Sequence, residues 1–203
     1  MDFVAYPKTP RLRRDVVITE KLDGTNAQIV ISREDPATSM PDVDVIRHNG
    51  EGLVMRVGSR SRWITPGKST DNYGFAGWCF DNSEELFKLG EGTHFGEWYG
   101  IGIQRNYGLT ERRFALFNTA RWGAHNPNTP ACVEVVPVLA TTSLEDVDKV
   151  LTKLKLSGSV AVPGFMTPEG ICVYHSASRQ TFKVLIENDE LPKGLVQQES
   201  IAA

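Results

Sequence analysis

Cysteine is scarce in this 203-residue chain, which holds only Cys79, Cys132 and Cys172. They are odd in number, far apart and in no C-x-x-C pair, which argues against a disulfide framework or a cysteine-based zinc site and fits a reducing cytoplasm. Long apolar runs are missing too. None reaches the roughly 18 residues of a membrane span, and the N-terminal MDFVAYPKTPRLRRD lacks the basic-then-apolar order of a secretory leader. No G-x-x-x-x-G-K-[ST] run occurs, so a P-loop site is excluded. His48, His94, His125 and His175 show no metal-ligand spacing, and no Ser or Cys sits in a nucleophile elbow, which leaves little room for a zinc enzyme or hydrolase. Charge of one sign is also lacking. With a net charge of -3 and a pI near 5.8 there is no global basic field, so a nucleic-acid partner would have to be held by a local groove.

What is present is the balance of an ordinary soluble domain, 40% hydrophobic and 23% charged, long enough to bury a core. Period-2 and β-branched segments predict strands near 15–20, 27–32, 43–48, 53–59, 94–99, 113–118, 132–139, 170–175 and 180–186. Helical signals are fewer. In SLEDVDKVLTKLKLSG, Ser143 and Asp146 form a capping-box pattern, Leu144, Val147, Val150, Leu151 and Leu154 make one apolar face, and Gly158 ends it. NSEELFKLG predicts a shorter helix from Asn82 or Ser83 to Gly90. The loops at 33–42 and 125–130 are too short for domain linkers. One domain is expected over 1–190, followed by a C-terminal tail at 191–203, with no OB domain or additional C-terminal domain.

The stretch TEKLDGTN (19–26) places a lysine between two apolar runs, DVVI and AQIVI. Read as a hairpin turn, it has Gly24 supplying a positive φ, and its lysine would ordinarily be a solvated surface residue. Further polar residues embedded in strand patterns weigh against that: Glu97 in HFGEWYG, Glu169 in FMTPEGICVY and Lys183 in RQTFKVLIEN. An acid or lysine in a buried sheet is costly unless paired or used, so these suggest one polar cleft between sheets.

The ordered series EKLDGTN, GSRSRWITPG, HFGEWYGIGIQRNYG, RFALFN, PEGICVY and TFKVLIEN resembles the nucleotidyltransferase motifs of ATP-dependent RNA ligases, most closely the RNA ligase 2 type, over roughly residues 15–190. The resemblance implies an α+β nucleotidyltransferase fold of two packed antiparallel sheets with flanking helices and the nucleotide in the cleft between them. It implies that Lys21 takes AMP from ATP, with pyrophosphate leaving. AMP then passes to an RNA 5′-phosphate, and a 3′-hydroxyl attacks and expels it. The attacking amine must be neutral, because an ammonium has no lone pair.

By the same resemblance, Glu20 accepts from the adenine amino group, Phe117 is the plate on which the base stacks, and Glu97 holds the ribose hydroxyls. Glu169 helps hold Mg²⁺ or Mn²⁺, Lys183 lies near the α-phosphate, Arg60 contacts phosphate and the RNA end, and Asn26 helps place the RNA terminus. Phe117 also fits plain core, each acid also fits a structural salt bridge, and Arg62 competes with Arg60. Gln104 and Arg105 belong to the signature without an assigned role. The implied partner is RNA with 5′-phosphate and 3′-hydroxyl ends, nicked or duplex-held.

Two departures stand out. The family's last motif reads K-x-K, but here it is Lys183-Val184-Leu185, so one expected cation is missing. Only about fifteen polar residues follow that motif where the type carries another domain, which leaves end recognition to the cleft, to Arg11–Arg14, or to a partner. The competing readings are a capping guanylyltransferase, a DNA ligase, and a non-catalytic module that binds nucleic-acid ends.

Overall fold

The computed structural model describes residues 2–34, 41, 44–48 and 52–190. The tail expected at 191–203, most of the 33–42 loop and Val43 of the expected 43–48 strand lie outside the described residues. In chain order the first elements are β1 (Val16–Lys21), β2 (Thr25–Arg33), β3 (Ile46–Arg47), β4 (Leu53–Ser59), β5 (Trp63–Ile64), α1 (Phe75–Asp81) and α2 (Ser83–Leu86). There follow β6 (Gly92–Gly100), β7 (Arg112–Leu116), β8 (Glu134–Val135), β9 (Val138–Thr142), α3 (Val147–Ser157), β10 (Gly170–His175) and β11 (Gln180–Leu185). The result is a mixed α+β chain with two largely antiparallel sheets and few helices. It divides into two compact units, one holding the residues up to Lys21 and from Pro137 onward, the other Leu22–Val136.

The first unit is built on a four-stranded sheet in the order β11-β10-β1-β9. In β1, burial alternates strictly, with Val16, Ile18 and Glu20 buried and Val17, Thr19 and Lys21 less so, because successive side chains point to opposite faces. The buried face carries Val16, Ile18, Ile171 and Val173, and α3 covers it with Leu154, while Leu144, Val147, Val150 and Leu151 pack at its margin. That is the apolar helix face predicted from the sequence. Fully burying a side chain such as Leu154 contributes about 1.5–3 kcal/mol. The helix start differs from the prediction: Leu144–Asp146 form a 3₁₀ turn and Ser143 makes no side-chain cap bond. Thr142 Oγ1 donates to Asp146 Oδ2 at 2.6 Å, so the carboxylate serves the preceding strand instead of closing a capping box.

The second unit holds a seven-stranded sheet in the order β3-β4-β2-β6-β7-β8, with β5 paired to β4. Its core face presents Ala27, Ile29, Ile31, Met55, Val57, Trp98, Phe114 and Leu116, and Phe75, Ala76, Cys79, Leu86 and Leu89 from the helical stretch pack among them. Helix α1 carries no clear helical period in FAGWCFD, and the sequence did not predict it. It starts because the Asp71 carboxylate accepts from the N–H groups of Asn72 (2.6 Å), Ala76 (2.8 Å) and Gly77 (3.1 Å), satisfying donors that a helix start leaves unpaired.

Two strand expectations are corrected. Strand 132–139 is two strands: β8 pairs in parallel with β7, whereas β9 pairs with β1. The break falls at Pro137, which has no N–H to donate to a ladder. Likewise β1 and β2 do not form a hairpin, since they belong to different sheets. Lys21 is the last residue of β1, and Leu22–Gly24 carry the chain from one unit to the next.

Candidate functional site

In the first unit the end of β1 meets the start of β10. Register pairs Lys21 with Gly170 and Glu20 with Ile171, and the Lys21 Nζ donates to Glu169 Oε2. The two side chains are 20% and 9% exposed. The close fit depends on Gly170. A Cβ there would stand 2.2 Å from the Val184 carbonyl oxygen of β11, so only glycine lets the neighbouring strand pass. The Ile186 N–H donates to the Glu169 carbonyl at 3.0 Å and extends the ladder past Glu169.

Cross-strand partners share a face. Thr19 pairs with Cys172 and Cys172 with Lys183, while Gly170 pairs with Leu185. Lys21, Lys183 and Leu185 therefore lie on one face of this sheet, with Leu185 in the same transverse row as Lys21. Lys183 is exposed and Leu185 half-buried.

Glu20 lies on the other face, with Val16 and Ile18. It is 1% exposed. Its Oε1 accepts from Ser159 Oγ at 2.6 Å, and its Oε2 from the N–H groups of Val160 at 2.8 Å and Ala161 at 2.9 Å. A buried carboxylate needs such donors, and through them Glu20 holds the 159–161 loop.

In the second unit the open face of the sheet gathers Asn26, Glu97 and Phe117. Asn26 is paired with Glu97 across β2 and β6. Phe117 continues the β6–β7 ladder, its N–H donating to the Phe95 carbonyl at 3.0 Å. Phe117 is 39% exposed and Phe95 50%, so Phe117 is no core residue. Phe95, on the same face as Glu97, is an exposed aromatic whose position is legible in the alternation of THFGEW. Of the competing arginines, Arg62 is spent on the carbonyls of Thr70 (2.9 Å) and Asp71 (3.1 Å). Arg60 is exposed and has no hydrogen-bond or ion-pair partner among the described residues, which leaves it available to a ligand.

The Leu22–Gly24 crossover is held from β6 and from the segment that follows it. The Asp23 N–H donates to Tyr107 Oη at 2.7 Å, Arg105 Nε donates to Asp23 Oδ2 at 3.0 Å, and the Gly24 N–H donates to Glu97 Oε1 at 3.0 Å. Glycine is needed at 24 for space and not for a positive φ, correcting the turn-based expectation: a Cβ would stand 2.4 Å from the Trp98 carbonyl oxygen and 2.8 Å from Tyr99 Cβ. The holding segment is itself strained. Gln104, Asn106 and Tyr107 have φ of 44°, 61° and 55°, a region costing non-glycine residues roughly 1–3 kcal/mol each. Tyr107 is 2% exposed and edge-on to Tyr99 at 5.4 Å. The Tyr99 hydroxyl donates to Glu134, and burial, then this bond, push its phenol far above the ordinary range.

These two sheets define an α+β nucleotidyltransferase fold. The family model described as RNA ligase matches residues 14–185, and the chain belongs to that family. Among solved structures it is similar to an apo Naegleria gruberi RNA ligase mutant (20% identity, TM-score 0.51, covering 84% of this chain and 49% of that one). It is also similar to mutants of a Naegleria gruberi RNA ligase with ATP and Mn (17%, 0.54, covering 92% and 51%) and with AMP and Mn (19%, 0.53, covering 84% and 49%). The chain thus spans about half the length of each. A comparison with curated proteins returns no match. Among the described residues no helix is long and apolar enough to cross a membrane.

Proposed function

We propose that the chain is the nucleotidyltransferase part of an ATP-dependent RNA ligase, which joins a 3′-hydroxyl to a 5′-phosphate through an AMP carried on Lys21. The observation that carries this is the Lys21–Glu169 pair at the meeting of β1 and β10, with Lys183 on the same sheet face. The Lys21 nitrogen attacks the α-phosphorus of ATP, the bond to the bridging oxygen breaks, pyrophosphate leaves and the amine loses a proton. Glu169 Oε2, already bonded to Nζ, is the nearest acceptor for that proton. A 5′-phosphate oxygen then takes AMP from the nitrogen. Finally the 3′-hydroxyl oxygen attacks the 5′-phosphorus and AMP leaves. In each transfer, positioning and charge neutralisation do most of the work.

Lys183 supplies positive charge at the α-phosphate, Arg60 at phosphate and the RNA end, Glu97 an acceptor for the ribose hydroxyls, and Phe117 a face for the base. Among the described residues no group of three or more His, Cys, Asp or Glu could hold a metal by itself. Mg²⁺ in such sites takes one or two carboxylates and fills the rest of its shell with phosphate oxygens and water. Glu169 is the carboxylate that would hold such an ion, which when bound supplies charge neutralisation at the phosphates.

Asn26, beside Glu97, places the RNA terminus, so the 2′-hydroxyl is the group that separates RNA from DNA. The test is sealing of otherwise identical nicks with RNA or DNA at the 3′ side, with ATP and Mg²⁺ or Mn²⁺. Faster sealing of the RNA end is expected. Equal sealing contradicts the RNA assignment, and no sealing of either contradicts the ligase.

A further inference from the structure

We infer that Arg105 and Tyr107 are positioning residues for the transfer of AMP to Lys21, acting through Asp23. This rests on the function proposed above. Leu22, Asp23 and Gly24 directly follow the nucleophile, so the attitude of their backbone sets where the Lys21 side chain starts. Two hydrogen bonds hold that backbone, the Asp23 N–H to Tyr107 Oη at 2.7 Å and the Gly24 N–H to Glu97 Oε1 at 3.0 Å, and a third holds the Asp23 side chain, with Arg105 Nε, from the same segment as Tyr107, donating to its carboxylate at 3.0 Å.

The segment is built to do this. Ile103 is 0% and Tyr107 2% exposed, so its two apolar anchors are sunk in the unit. The Ile103 N–H returns to Gly100 O at 3.0 Å, the Asn106 N–H to Ile103 O at 2.9 Å and the Leu109 N–H to Asn106 O at 3.1 Å. Positive φ at Gln104, Asn106 and Tyr107 turns the chain tightly enough to present the phenol and the guanidinium to the same residue. Strained backbone of this kind persists only where its surroundings enforce it.

An in-line attack is sensitive to sub-ångström placement, and loosening the turn lowers the rate without weakening the hold on ATP. Single-turnover AMP transfer at varied ATP separates the two. Arg105→Ala is expected to reduce the maximal rate about 10- to 100-fold while the half-saturating ATP concentration and the melting temperature stay close to wild type, and Arg105→Lys to recover part of the loss. In an Asp23→Ala background, Arg105→Ala should cost nothing further. A normal maximal rate, a defect confined to ATP affinity, or additive losses in the double variant overturn the inference.

Amide exchange followed by NMR tests the clamp independently of the reaction. Tyr107→Phe removes the acceptor and should speed exchange at Asp23 in the full chain. Unchanged exchange there overturns the clamp even if the enzyme is active. Wild-type protein that takes no AMP, yet shows the expected exchange, faults the ligase assignment and leaves the clamp in place.

Discussion

Lys21 and Glu169, 148 residues apart in sequence, are joined by a hydrogen bond where β1 and β10 run side by side. The pair brings the only lysine of a K-x-D-G sequence to the only acid at the head of β10, so the two sides of the proposed chemistry, nucleophile and carboxylate, are in contact. Glu169→Gln keeps the shape and the backbone bond to Ile186 but removes the charge. It is expected to leave the protein folded and to slow AMP transfer by about 100-fold or more. Stopped single-turnover assays measure this, and a loss under about threefold would remove Glu169 from the chemistry.

The family's second lysine is Leu185 here, and the register sets it on the face of Lys21 and Lys183. Lys183→Ala should therefore abolish nearly all activity, since no neighbouring cation in the motif substitutes. Leu185→Lys should raise the rate of a chemical step by up to about tenfold, the equivalent of roughly 1.4 kcal/mol. Rates of self-adenylation and sealing for both variants decide the matter. Near-normal rates in Lys183→Ala would show that the cation comes from elsewhere.

Glu20 provides a contrast, because it neighbours the nucleophile yet faces the opposite way. Glu20→Gln disturbs three hydrogen bonds to the 159–161 loop and is expected to cost about 1–3 kcal/mol of stability. If Glu20 serves the loop, ATP and the triphosphate of the 6-deamino purine should lose rate in equal proportion. A variant that alone forfeits the preference for ATP would assign Glu20 to the base.

His94 gives the second unit a pH dependence. Its ring is 3% exposed, and its Nε2–H donates to the Gly90 carbonyl at 3.0 Å. Burial, with Arg121 nearby, holds its pKa below the ordinary value. The native ring stays neutral while the unfolded one takes a proton near pH 6.5, so this contribution is present above that pH and is lost as pH falls toward the depressed native value. Melting between pH 7.5 and 5.5 should show a fall approaching 1.4 kcal/mol per pH unit at its steepest. His94→Gln should flatten it, and an unchanged slope in that variant would assign the effect to other groups.

How much of this was legible depended on how far apart the interacting residues lie. Strand 53–59 follows from its run of β-branched and apolar residues, strand 170–175 from local alternation and the α3 face from its helical spacing, because each is decided by neighbours a few positions away. Helix α1 was not legible, since its start rests on Asp71 reaching past an intervening turn and its stability on aromatic burial instead of period. The separation of β1 from β2 leaves no local mark, because a strand buried on one face alternates the same way whichever sheet it joins. The motif residues were visible in order, but partners such as Ser159 for Glu20 and Tyr107 for Asp23 were not, for those contacts exist only once distant segments pack. Pro137, a residue with no donor in the middle of an apparent strand, was the one local signal that the 132–139 run should break.

Lys21 is the residue proposed to carry AMP. Incubation with α-labelled ATP or GTP and Mg²⁺ or Mn²⁺, followed by peptide mapping of the adduct, tests it most directly. One AMP per chain on the peptide containing Lys21, weak labelling by GTP, and no adduct in folded Lys21→Ala protein are the predicted results. An adduct that persists in folded Lys21→Ala protein, or the absence of any adduct in wild type, would contradict the account.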